Sequence, residues 1–180
     1  MYPWLRLVKA TAGTRWRSRL APLGESVLPF RVWPGDLDTN RHLNNGRYLT
    51  LMDLGRWDLM GRTGLLRHAL ERKWMPVVAA ATIRFRRPIG PYARFTLHTR
   101  LLGWDDRSFY IAQTFRSGGK DCAEAVVRAM VLEARRKVPP QEAMDLVQPG
   151  MESPQVPTWV LSWAQQAETV APGASRTAGV

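Results

Sequence analysis

The segment Asp36-Leu37-Asp38-Thr39-Asn40-Arg41-His42-Leu43-Asn44-Asn45-Gly46-Arg47-Tyr48 carries the densest set of reactive side chains in the chain. A carboxylate can attack an acyl carbon or take a proton from water. An imidazole moves protons near neutral pH. The segment stands just ahead of an apolar stretch with helical spacing. The first N–H groups of a helix lack partners inside it and lie at the positive end of its dipole. They suit an oxyanion that forms on a carbonyl. Hydrolysis of an ester or thioester needs an activating group, such donors, and a slot for the acyl part. The same residues have plainer readings. Asp36 reads foremost as a turn former, Asp38 equally as turn former or reactive carboxylate, and His42 alone as a partner of a nearby group. Asn44 or Asn45 suits the helix cap, and Tyr48 suits the core. Spacing alone stops at a candidate site with no assigned reaction.

The elements around this segment follow from periodicity. Ser26 to Trp33 reads as a strand stopped by Pro34-Gly35. A helix is expected from about Asn45 to Arg62, with Tyr48, Leu49, Leu51, Met52, Leu59 and Met60 on one arc and Gly55 inside it. Leu54 and Trp57 fall outside that arc, so the helix is apolar over more than half its circumference and must be wrapped. Asp58 and Arg62 are spaced as an i,i+4 pair on the polar side. A short basic helix follows, about Leu65 to Lys73. Four strands come next, Met75–Arg87, Tyr92–Trp104, Arg107–Arg116 and Asp121–Arg135, joined by short turns that imply antiparallel neighbours. Val77, Ala79, Ala81, Ile83 and Phe85 alternate onto one face of the first of these. Pro139-Pro140 ends the sheet, and short helices are expected at Gln141–Val147 and Trp159–Ala167. The expected architecture is α+β: a curled antiparallel five-stranded sheet around a long central helix. The domain spans 25–147. A basic segment, 1–24, precedes it, read as an amphipathic helix on an anionic membrane, as a poorly ordered tail, or as a segment capping the domain edge. A C-terminal extension, 148–180, follows and is expected to be disordered from about 168.

The 180 residues carry a formal charge of +11, mostly as arginine, which suits either phosphate binding or a solvated surface. RNA-binding, zinc-finger and helix-turn-helix patterns are lacking, so no nucleic-acid partner is expected. Cys122 is the single cysteine, which excludes an internal disulfide and fits a reducing compartment. The three histidines and this cysteine have no metal-ligand spacing, and neither a metal nor a cofactor is expected. No run of eighteen apolar residues and no signal peptide is read, giving a cytoplasmic expectation, at the inner membrane face if residues 1–24 bind there.

The pattern Asp-Leu-Asp-x-Asn-x-His-x-Asn-Asn-x-x-Tyr resembles the motif of the hotdog thioesterases, above all the 4-hydroxybenzoyl-CoA thioesterase-like group and the plant fatty acyl-ACP thioesterases. The stretch from Asn44 through Asp53-Leu54-Gly55-Arg56 to Arg62-Thr63-Gly64-Leu65 is similar to bacterial proteins related to thioesterase superfamily member 6. The resemblance covers about 26–137. It implies a single hotdog domain that cleaves fatty acyl thioesters, acyl-CoA or acyl-ACP. Asp38 would be nucleophile or general base. Asn40 and His42 match the acyl-ACP relatives, whereas the benzoyl-CoA type has no histidine there and uses helix-start N–H groups, here Asn45 and Gly46. Tyr48 and the cluster Arg84, Arg86 and Arg87 are the substrate-binding candidates, the arginines for coenzyme A phosphates or an acidic carrier protein. Solvated edge charge is the competing reading of that cluster. The plant enzymes carry two repeats, so a homodimer or a dimer of dimers is implied here. Two rivals stand beside hydrolysis: a dehydratase or hydratase on the same fold, and a non-catalytic acyl-CoA-binding or membrane-associated protein.

Overall fold

Asn44 starts the long helix. Its Oδ1 accepts the Gly46 N–H at 2.8 Å, and helix α1 runs Asn45–Thr63. Gly64, at φ +90°, ends it and turns the chain into α2, Leu65–Glu71. The computed structural model describes residues 17–169. Around α1 curls an antiparallel sheet of β1 (Ser26–Arg31), β2 (Trp74–Phe85), β3 (Arg94–Trp104), β4 (Phe109–Ser117) and β5 (Lys120–Glu133), in the order β1-β3-β4-β5-β2. This is the hotdog arrangement. A short sixth strand, β6 (Arg136–Val138), folds back on β5. Helices α3 (Pro140–Asp145) and α4 (Thr158–Thr169) follow.

The main core lies between α1 and the inner face of the sheet, where Leu51, Met52 and Leu54 of α1 meet Leu97, Phe115 and Val127. Burying side chains of that size contributes roughly 1.5–3 kcal/mol each. A second cluster, with Trp74, Trp104 and Met144, closes the C-terminal end of α1. A third holds α4 on the outer sheet face through Val156, Val160 and Ala164. Gly55 permits a close approach of α1 to the sheet. A Cβ there would lie 2.4 Å from Thr99 Oγ1 and 2.9 Å from Gln113 Nε2.

Several expectations from periodicity are corrected. Leu49, placed in the apolar arc, is 48% exposed, and Leu54, placed outside it, is fully buried. Asp58, expected on the polar side, is fully buried. The Arg62 pair exists at 3.5 Å, and the Ser26 hydroxyl of β1 donates to Asp58 Oδ2 at 2.6 Å. The single face expected along β2 breaks at a bulge between Val78 and Ala80, which pair with Ala129 and Arg128. The bulge shifts the alternation by one residue, so Val77 and Ala81 face opposite ways. Strand β6 adds to the five expected strands. Helix α4 continues through residues 168 and 169, where disorder was expected.

Of the basic segment, residues 17–24 cap the end of α1. Arg17 reaches Asp58 at 3.5 Å, and the Leu20 N–H donates to the Arg62 carbonyl at 3.0 Å. The membrane reading of residues 1–16, and disorder beyond 169, fall outside the described residues. No helix among the described residues is long and apolar enough to cross a membrane.

Candidate active site

The loop ahead of α1 closes on itself. Leu37 and Leu43 form an antiparallel bridge, and Leu43 plugs the loop into the main core. The Leu43 N–H donates to the Ile89 carbonyl at 2.9 Å, tying the loop to the connection after β2. Between the bridging leucines, the Asp38 N–H donates to the His42 carbonyl at 2.9 Å and the Arg41 N–H to the Asp38 carbonyl at 3.0 Å. Arg41 makes the return possible by adopting φ +60°. Asp38 Oδ1 accepts the N–H of Asn40 at 2.9 Å and the N–H of His42 at 3.1 Å. Its Oδ2 has no donor among the described residues. The side chains of Asn40 and His42 are exposed and make no hydrogen bond among the described residues. Both motif residues therefore hold the carboxylate through their backbone.

Asp36 does a different job. It is buried, its Oδ2 accepts the Trp33 N–H at 2.9 Å, and its carbonyl accepts the Asn44 N–H at 2.8 Å. It fixes the entry into α1, as a turn former does. Of the two helix-start donors expected from the sequence, the Gly46 N–H is taken by the Asn44 cap. The Asn45 N–H has no acceptor among the described residues.

Tyr48 is buried, its ring edge-on to Phe85 at 5.0 Å and Phe115 at 4.7 Å between centroids. Burial, then the neighbouring Cys122 and Asp38 side chains, push its hydroxyl up to about 12, so it stays protonated at neutral pH.

Farther along α1, two adjoining cavities of about 60 and 110 Å³ lie between the helix and the sheet. They share Met60, Pro76, Ile111 and Ala129. The inner one is almost wholly apolar and ends at Pro22, Met144 and Val147. The outer one opens beside Asp53, Arg56 and Trp57. Both are smaller than the ~300 Å³ of ordinary ligand sites. The polar mouth was not read from sequence, although Asp53 and Arg56 stand at i,i+3. Arg56 pairs with Asp53 and donates to Gln113 Oε1 at 2.7 Å. Buried Gln113 donates to the Met52 carbonyl at 2.9 Å and to Thr99 Oγ1 at 3.0 Å. Burial raises the Asp53 carboxyl above its ordinary range despite Arg56.

The arginine cluster sits apart from this chamber. Arg84 and Arg86 line a groove of about 600 Å³ on the outer sheet face. Phe85, between them, turns inward to Tyr48. Arg86 Nε donates to Glu124 Oε2 at 2.6 Å. Arg87 donates to the Asp121 carbonyl at 2.9 Å. No group of three metal-ligating side chains forms among the described residues.

Comparison with known proteins gives this geometry a family. The thioesterase-like superfamily matches residues 32–164. Protein THEM6 of Xenopus laevis is 33% identical over 156 residues, covering 82% of this chain and 73% of the frog protein. Protein THEM6 of Danio rerio is 40% identical over 105 residues, 58% of this chain and 52% of the fish protein, so that match spans about half the relative's length. Among solved structures, the YbaW probable thioesterase from Escherichia coli superposes with a TM-score of 0.64 at 20% identity, over 68% of this chain and 96% of that one. That last likeness is one of fold.

Proposed function

The chain belongs to the thioesterase-like superfamily, and from that premise we propose that it hydrolyses fatty acyl thioesters, of coenzyme A or of a carrier protein, to a free acid and a thiol. The observation that carries the reading is the one-sided grip on Asp38: two backbone N–H groups hold Oδ1, and Oδ2 stays open. In this reading the substrate carbonyl oxygen accepts the Asn45 N–H, aided by the positive end of α1. Asp38 Oδ2 attacks the carbonyl carbon, or takes a proton from a water that does. The tetrahedral oxyanion collapses and the C–S bond breaks; on the water route the thiolate takes the proton that Asp38 accepted, and on the nucleophilic route it takes one from solvent. On the nucleophilic route, water then hydrolyses the acyl-aspartyl anhydride. Asn40 and His42 hold the carboxylate in register, and Tyr48 with Phe85 forms the wall beside it.

The apolar slot along α1 favours a fatty chain over a small polar acid. The open edge of the sheet supports a homodimer. Strand β2, twelve residues long, pairs on one side alone among the described residues and exposes Met75, Val78 and Phe85. A second copy adding its own β2 would cover that edge. Incubation with acyl-CoA esters of increasing length, with a thiol-reactive dye, tests the reading. Thiol release that rises with chain length is expected. Tight acyl-CoA binding without thiol release would return the protein to the non-catalytic alternative.

A further inference from the structure

A groove of about 600 Å³, larger than the slot along α1, lies on the opposite face of the sheet. Its floor is made of small residues in register. Ala112 of β4 pairs with Arg100 of β3 on one side and with Val126 of β5 on the other, and Val126 pairs with Thr82 of β2. In the next row Thr114 pairs with Glu124, which pairs with Arg84. Short side chains in the middle and long arginines on the flanking strands make a trough with cationic walls. Arg100 and Arg84 stand three strands apart, roughly 14 Å at the ordinary strand spacing. Neither makes an ion pair among the described residues. Arg86, beside Arg84, is matched by Glu124 at 2.6 Å, which neutralises the single carboxylate of the floor. Trp159, 58% exposed at the start of α4, forms the end wall with Pro157.

Two separated cationic walls, a span of that length and an exposed indole match a ligand with phosphates at both ends and a flat ring. We propose that this groove holds the 3′-phosphorylated ADP end of coenzyme A, with Arg84 and Arg100 on its phosphates and Trp159 against the adenine. The proposal rests on the thioester reading above and makes coenzyme A, rather than a carrier protein, the carrier of the acyl group. The link between groove and site is the end of β2. Arg84 and Arg86 point outward there while Phe85, between them, packs on Tyr48 beside Asp38. A pantetheine arm passing that strand end would join the two. The groove's volume lies within the range of small-molecule sites, and a concave trough suits a nucleotide better than a flat lipid surface.

The test uses the full chain and two readouts. By calorimetry, adenosine 3′,5′-bisphosphate should bind, and the double variant Arg84→Gln/Arg100→Gln should weaken it at least tenfold. Trp159→Ala should weaken it by a smaller factor. Inorganic phosphate at equal concentration should not displace it. By kinetics, the ratio of kcat/KM for acyl-CoA to that for the matching acyl-pantetheine should fall at least tenfold in the double variant. A bisphosphate that does not bind, or binds the double variant equally, overturns the proposal. So does arginine-dependent binding of anionic phosphatidylglycerol vesicles without nucleotide binding. If neither thioester is cleaved, the hydrolase reading fails, and calorimetry still decides the groove.

Discussion

The His42 backbone grips Asp38 twice: its carbonyl accepts the Asp38 N–H at 2.9 Å, and its N–H donates to Asp38 Oδ1 at 3.1 Å. A motif histidine thereby shapes the site without its ring.

His42→Ala keeps that N–H, so the carboxylate should stay in place and kcat should drop by about tenfold or less, below the 10²–10⁴ range of a lost acid–base group. His42→Pro removes the donor and should cost at least about 100-fold in kcat. Equal losses in the two variants would mean that the imidazole itself carries the proton.

Ala129 lies where the two cavities along α1 meet. Ala129→Leu adds three carbons at the junction and should block the inner cavity. The profile of kcat/KM against acyl length should shift to shorter chains, with the shortest substrates least affected. An unshifted profile would place the acyl chain elsewhere.

Asp58 is a buried charge shared by Ser26, Arg17 and Arg62. Asp58→Ala strands these partners and should lower unfolding stability by about 3–5 kcal/mol, the range for breaking a buried pair from one side. Urea denaturation measures it, and a midpoint equal to wild type would contradict the account.

That aspartate also shows where sequence reading stops. Helical spacing found the Arg62 partner, four residues away, because that geometry is local. It cannot find Ser26, which reaches Asp58 from β1, so spacing alone puts the residue on the solvent side. The same limit explains Leu49 and Leu54. A wheel orders side chains around α1 but cannot say how far the sheet curls. The strands were legible from alternation, except where the bulge at Ala79 shifts the phase of β2. At the candidate site, the motif pointed to one loop. It did not reveal that Asn40 and His42 act through their N–H groups, nor that Asn44 consumes the Gly46 N–H. Both depend on loop closure by Leu37 and Leu43 and on the left-handed Arg41.

Asp105, in the turn between β3 and β4, offers a pH test. Burial pushes its carboxyl up, but the Tyr110 hydroxyl at 2.6 Å and the N–H groups of Arg107 and Ser108 outweigh this and hold it below its ordinary range. A carboxyl lowered on folding stabilises the native state above its unfolded value, and that contribution is lost as pH falls through the folded value. Tyr110→Phe removes one donor. The gap in urea midpoint between wild type and variant should be full at pH 7 and narrow below about pH 4. A gap constant from pH 7 to pH 3 would contradict this origin.

The most direct measurement is thiol release by Asp38→Asn beside wild type, both checked for the same circular dichroism and the same oligomeric mass. Asparagine keeps an oxygen for the Asn40 and His42 N–H groups but can neither attack nor accept a proton. The account predicts a loss of at least about 100-fold in kcat with the fold intact. A variant that turns over at the wild-type rate would contradict it and remove Asp38 from the chemistry.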